Sequence, residues 1–110
     1  MTLKEASQKY TVAGLPESVI AKQEDAFVRC LSFLQGISKT KGQNRRHTSG
    51  NLKHIVERGY HDHIYEGTFI LAALASGFTA DFSCGGSRAT FNISERDLSR
   101  RTKEFTTQPV

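Results

Sequence analysis

Apolar residues recur with two different periods in this chain, and the period changes at Gly77. Before Gly77 lies the most apolar run, Phe69-Ile70-Leu71-Ala72-Ala73-Leu74-Ala75. It is apolar all the way round a helix, so other elements are expected to surround it. Gly77 supplies the stop that helices use just past their C-terminus. After it, Phe78, Ala80, Phe82 and Cys84 alternate with Thr79, Asp81 and Ser83. Gly85-Gly86 tolerates the positive φ angles of a type I′ turn. Ala89, Phe91 and Ile93 then alternate with Arg88, Thr90 and Asn92. A two-residue turn there pairs Cys84 with Ser87, Phe82 with Ala89, Ala80 with Phe91 and Phe78 with Ile93. A slip of one residue would mix the two faces, so pattern and turn specify one register. Tyr65 to Ile93 therefore predicts a buried helix feeding an antiparallel hairpin with one apolar side.

The upstream pattern is weaker. Residues 1–14 are polar apart from Leu3, Tyr10 and Val12, and read as a flexible lead-in. Pro16 suits a first helical turn. Ile20, Phe27, Cys30, Leu31, Leu34 and Ile37 then share one stripe, which predicts an amphipathic helix to about Gly36. That stripe is a core face, with dimerisation through this helix as the sharper alternative. Residues 38–48, SKTKGQNRRHT, contain no apolar residue and read as a basic loop. Thr48 or Ser49 caps a short helix whose inner face is Leu52, Ile55 and Val56, with Gly59 as its stop. After the hairpin, Ser94 with Asp97 resembles a capping box. It opens a last helix of two to three turns that frays before Pro109. The expected organisation is one compact domain over residues 15–105 with a tail at 106–110. Its fold class is α+β, in the winged-helix-like order α-α-α-β-β-α. The expected core is Phe69, Ile70, Leu74, Phe78, Phe82, Phe91 and Ile93 with Phe27, Leu31 and Leu34.

Charge changes this picture more than length does. The 110 residues carry a net charge of +4. Residues 39–61 hold six basic residues against Glu57 alone, a net of +5. Residues 62–87 hold Asp62, Glu66 and Asp81 with no base, and residues 88–110 hold five bases and three acids. Two basic blocks thus flank an acidic centre, which points to a polyanionic partner. No apolar run has the length of a membrane span, and MTLKEASQKY lacks a signal-peptide core, so the cytoplasm is expected. There Cys30 and Cys84 are expected as free thiols.

Candidate chemistry is sparse. His61 and His63 form an H-x-H pair whose spacing fits no standard structural zinc site, so they read as turn histidines. His54 with Glu57 reads as a surface contact before an acid–base pair. Cys84 would need a nearby histidine to act as a nucleophile. No P-loop, GxSxG or GxGxxG is present. No enzymatic activity, metal or cofactor is expected. In a winged helix the third helix reads the major groove and the hairpin touches backbone. Here the third helix offers only Glu66, Thr68 and Ser76 as polar groups. Nucleic-acid contact is therefore assigned to Lys39, Lys41, Arg45 and Arg46 in the loop, Lys53 and Arg58 on the short helix, Arg88 on the hairpin, and Arg96, Arg100 and Arg101 in the last helix.

The residues Ser49-Gly50-Asn51-Leu52-Lys53-His54, Val56-Glu57, Tyr60, Gly67, Phe69-Ile70, Ala72-Ala73, Gly77-Phe78 and Phe91-Asn92-Ile93-Ser94 form a pattern. It resembles small, mostly uncharacterised proteins of phages and mobile elements, over about residues 49–94. The resemblance transfers no active site. It implies a class that includes DNA-binding regulators and anti-CRISPR-type inhibitors. The expectation is a small non-enzymatic protein that binds nucleic acid. The alternative is an inhibitor that binds a host nucleic-acid machine or defence complex.

Overall fold

The computed structural model describes residues 1–83, 85 and 88–106, the side chain of Thr106 excepted. Helix α1 spans Leu3–Lys9, within the stretch expected as a lead-in. Thr2 and Glu5 explain it. The Thr2 hydroxyl accepts from the Glu5 N–H, and the Glu5 carboxylate accepts from the Thr2 N–H, a complete capping box. Leu3 and Ala6 are buried, so α1 is docked on the domain.

The long amphipathic helix is broken. Two short 3₁₀ turns, Glu17–Val19 and Ala21–Gln23, precede α2 at Glu24–Leu34. Gln23 sits at the break and is only 7% exposed. Its amide donates to the His63 carbonyl at 3.1 Å, and its oxygen accepts from the Tyr65 N–H at 3.0 Å and the Thr68 hydroxyl at 2.9 Å. This side chain clamps the start of helix α4 (Glu66–Ala75). From α2 onward Phe27, Cys30, Leu34 and Ile37 of the stripe are buried and Leu31 is partly so, while Phe33, outside the expected stripe, is buried as well.

Helix α4 is central. Gly67 to Ala73 are all buried, and α1, α2 and α3 (Ser49–Tyr60) pack against it. It ends as Gly77 requires. Gly77 has φ +92°, its N–H donates to Leu74, and the Phe78 N–H reaches back to Ala73. These two bonds are a Schellman motif. The corresponding stop expected at Gly59 is not one. α3 continues to Tyr60, and His61 takes the left-handed conformation. Gly59 is needed for another reason, because a Cβ there would lie 2.4 Å from the Phe105 ring.

The basic loop is a strand. β1 (Lys39–Asn44) pairs with β3 (Thr90–Ile93), and β3 pairs with β2 (Ala80–Asp81). The sheet is three-stranded and antiparallel, ordered β1-β3-β2, so the hairpin is two of its three strands. The hairpin register is the expected one: Ala80 faces Phe91 and Asp81 faces Thr90. It is shorter than expected at both ends. The Thr79 N–H goes to the Asn92 side chain at 2.7 Å, and Ile93 pairs with Lys39. At the other end the Ala89 backbone is taken by Ser49, which donates its N–H to the Ala89 carbonyl at 2.7 Å and accepts from the Ala89 N–H at 3.0 Å. Phe82 therefore has no ladder partner and is 41% exposed, not core. Gly85 has φ +93°, while Cys84, Gly86 and Ser87, and with them the type I′ turn, lie outside the described residues.

Helix α5, Glu95–Thr106, opens at Ser94, whose hydroxyl accepts from the Asp97 N–H at 3.2 Å. The capping-box reciprocal is absent, because the Asp97 carboxylate accepts instead from the Ser38 N–H at 2.9 Å. Of the expected core, Phe27, Leu34, Phe69, Ile70, Phe78, Phe91 and Ile93 are buried, and Leu31 and Leu74 are partly so. Among the described residues, no helix is long and apolar enough to cross a membrane.

Candidate nucleic-acid interface

β1 and α5 meet along their sequence-distant polar ends. Ser38 bonds both ways, its N–H to Asp97 and its carbonyl accepting the Ser94 N–H at 3.0 Å. At the far end of β1 the Asn44 amide donates to Glu95 at 2.9 Å, and beyond the strand the His47 ring contacts the same carboxylate at 3.0 Å. These contacts hold the 39–47 block against the first turn of α5. Lys41 on β1 and Arg45 and Arg46 in the turn after it thus lie on a segment joined to the helix that carries Arg96 and Arg100. All five are exposed.

β1 is irregular in a way that presents Lys41. Between the pairs Lys39–Ile93 and Asn44–Phe91, β1 advances five residues while β3 advances two. The surplus bulges outward, closed by the Thr40 hydroxyl on the Gly42 carbonyl at 2.9 Å and by Asn92 on the Thr40 carbonyl at 3.2 Å. Such a charged, bulged edge resists pairing with another strand.

The remaining candidates divide. Arg45 crosses the outer face of the sheet to Asp81 at 2.8 Å. Hydrogen bonds from Ser83 and the Arg45 guanidinium hold the Asp81 carboxyl down at about 2. Arg88 is exposed at the start of the β3 arm. Arg100 lies 3.7 Å from Asp97 and 3.8 Å from Glu104, and Arg96 lies 3.9 Å from Asp97. Three candidates face inward partners. The Lys39 ammonium sits 4.7 Å from the Phe78 ring centre. Lys53, whose side chain is 13% exposed, pairs with Glu57. Arg101 donates to the Phe33 and Ser32 carbonyls at 3.1 and 2.8 Å, closing the C-terminal end of α2. Arg58 is exposed on the last turn of α3, roughly 14 Å along the helix from Ser49. The joined set is therefore Lys41, Arg45, Arg46, Arg96 and Arg100, with Arg88 on the adjoining hairpin.

The histidines belong to a different knot. Glu57 accepts from the Ile64 N–H at 2.7 Å and from His54 at 2.8 Å, with Lys53 and His63 both at 3.3 Å. Burial pushes the Glu57 carboxyl up, but Ile64, Lys53 and His54 outweigh it and hold its pKa below the usual value. The His54–Glu57 pair is thus one arm of a knot that ties the turn between α3 and α4. The His63 ring stands edge-on to Tyr65 at 4.7 Å. Among the described residues, no three His, Cys, Asp or Glu side chains converge as a metal site. Cys30 is free and buried, and burial pushes its thiol up. Cys84 lies outside the described residues. A cavity of about 590 Å³ near Tyr10, Val12, Leu15 and Ile20 is lined by none of the ten basic candidates.

Glu57, Glu95 and Asp97 all have lowered pKa values, Glu95 first through Asn44 and Asp97 first through Ser38. A carboxyl with a depressed folded pKa stabilises above its unfolded value, and that contribution is lost as pH falls through the folded one. The protein should therefore lose stability between about pH 5 and pH 3. Urea titrations of the wild type and Glu57→Gln test this. The variant should be weaker at neutral pH and show a smaller loss on acidification. A midpoint that is the same at both acidic values would contradict the assignment.

Comparison of the chain with protein-family models, curated proteins and solved structures gave no match.

Proposed function

We propose that this protein binds nucleic acid, largely without regard to sequence, through the surface formed by β1, the β2–β3 hairpin and the start of α5. The observation that carries the reading is the joining of two basic blocks some fifty residues apart by the Ser38–Asp97, Asn44–Glu95 and His47–Glu95 contacts. Several phosphates can then be neutralised together, which is the largest sequence-independent term in such binding. Weak sequence preference follows from α4. It occupies the position of a reading helix but is buried from Gly67 to Ala73, so it has no free polar face for base edges.

The test is fluorescence anisotropy with labelled oligonucleotides across a salt series. Each phosphate contact adds about 0.9 to the log–log slope on duplex DNA. Changing Arg45 and Arg46 together to Ala should weaken binding alike for all sequences and reduce the slope by up to about 2. Asp81→Asn should act the other way. It releases Arg45 from a carboxylate that a phosphate must otherwise displace, so affinity should rise. An absence of binding at low salt would sink the reading. Recovery of one stoichiometric, nuclease-insensitive protein complex from host lysate would then favour the inhibitor alternative.

A further inference from the structure

We infer that His47 is a proton-dependent phosphate contact of this surface, so that nucleic acid is held more tightly as the imidazole gains its second proton. The inference rests on the nucleic-acid reading above, to which it adds a binding residue and a response to pH.

The position of the ring comes first. His47 lies between β1 and α3, one residue beyond Arg46. Its Nε2 spans the Glu95 carboxylate, 3.0 Å from one oxygen and 3.2 Å from the other. Glu95 is the first residue of α5 and precedes Arg96. The ring thus ties the residue after Arg46 to the residue before Arg96.

The two ring nitrogens have different work. The Asn44 amide, then the His47 bond and the Arg46 charge, hold the Glu95 carboxyl below its usual pKa. At neutral pH this carboxylate is ionised and can only accept. Nε2 therefore carries the proton of the neutral ring, and Nδ1 is left with a lone pair. Among the described residues Nδ1 has no hydrogen-bond partner, yet no buried side-chain nitrogen or oxygen goes without one. Nδ1 therefore reaches water, as the 28% exposure of the side chain allows.

Protonation reverses what this atom offers a phosphate. The lone pair of the neutral ring repels a phosphate oxygen. The imidazolium presents an N–H and a charge in its place. Nε2 keeps its bond to Glu95 in both states, so the ring stays oriented while its outer edge changes. The charged groups about it are Glu95 from α5, which favours the imidazolium, and Arg46 from its own segment, which opposes it. From β1 the Asn44 side chain brings an uncharged amide to the same carboxylate. A bound phosphate adds a second anion, so phosphate binding and proton uptake promote each other. Histidine makes this change between about pH 5 and 8. Affinity is therefore gained as pH falls through that range and lost as it rises.

The experiment is fluorescence anisotropy with a labelled DNA duplex at about pH 8 and about pH 6, at matched ionic strength. Both values lie above the acid range in which the fold weakens. Calorimetry in two buffers of different ionisation heat counts the protons taken up on binding. Wild-type protein should gain about ten-fold in affinity at the lower pH, the scale of one charge-assisted hydrogen bond. Its salt slope should steepen by up to about 0.9. His47→Gln, whose amide can still donate to Glu95, should bind at both pH values as the wild type does at the higher one, and take up no proton. His63→Gln, at the far end of α3 and roughly 16 Å along the helix from Ser49, should keep the gain. A pH-independent affinity without proton uptake, or a gain that survives His47→Gln, would overturn this inference while leaving duplex binding intact. The proton count needs only the wild type, so it decides the matter even if the variant does not fold. An absence of binding at both pH values in low salt would overturn the nucleic-acid reading and this one together.

Discussion

Replacing Phe91 by Ala is expected to lower the unfolding free energy by about 3–5 kcal/mol. Phe91 lies on the middle strand of the sheet and is 1% exposed. Its ring meets Phe69 of α4 edge to face, with centres 5.9 Å apart. Truncation removes the burial of a full aromatic side chain and leaves a void between sheet and helix. Domains of this size have about 5–15 kcal/mol in total, so the loss threatens the fold itself. A urea titration measures it. An unchanged midpoint would remove Phe91 from the core and undo the packing of β3 on α4. Phe82→Ala on the same hairpin should change stability by no more than about 0.5 kcal/mol, as an exposed position does. The two phenylalanines were equivalent by alternation, so the contrast measures what Ser49 does by capturing Ala89.

Two glycines at the same helical position should respond with opposite signs. Gly50 and Gly67 are each the second residue of a helix, α3 and α4. By propensity alone, alanine at either gains up to about 1 kcal/mol. At Gly50 a Cβ would meet nothing closer than 3.7 Å, so Gly50→Ala should be neutral or stabilising. At Gly67 a Cβ would lie 2.7 Å from the Leu15 Cβ, 3.0 Å from the Ala13 carbonyl and 3.1 Å from the Gly14 backbone. None of these is the yielding end of a flexible side chain. The Gly67 N–H also donates to the Gly14 carbonyl at 3.2 Å, so the 13–15 segment cannot retreat without losing that bond. Overpacking of this kind costs roughly 1–3 kcal/mol. Gly67→Ala should therefore be destabilising despite its better propensity. If thermal melts placed both variants above the wild type, the close approach of residues 13–15 to α4 would be wrong.

The candidate surface was half legible. Its residue types and its two blocks stand out in the sequence as charge asymmetry. Their juxtaposition does not, because it depends on Ser38, Asn44, His47, Glu95 and Asp97, polar residues that look like ordinary surface positions until their partners are known. The same holds for the inward-facing bases. Nothing local marks Arg101 as the closure of the α2 carbonyls, or Lys53 as one arm of the Glu57 knot. Helix α1 was readable in principle, since Thr2 followed three residues later by Glu5 is a capping-box signature.

What the sequence by itself determined were the parts whose signal is apolar and local. α4 is apolar round its circumference and is surrounded. Gly77 ends it through two short-range bonds, and the spacing of Ala80, Asp81, Thr90 and Phe91 sets the hairpin register. These follow from burial and from bonds within a few residues. Only the tertiary structure decided the rest. KTKGQN has no apolar alternation, and it becomes a strand because β3 offers an unpaired edge to bond. The helix before it breaks because Gln23 must reach residues 63–68. Phe82 leaves the core because a serine forty positions from Ala89 takes that residue's backbone bonds. Each of these depends on a polar group whose partner is distant in sequence, and periodicity carries no record of such partners.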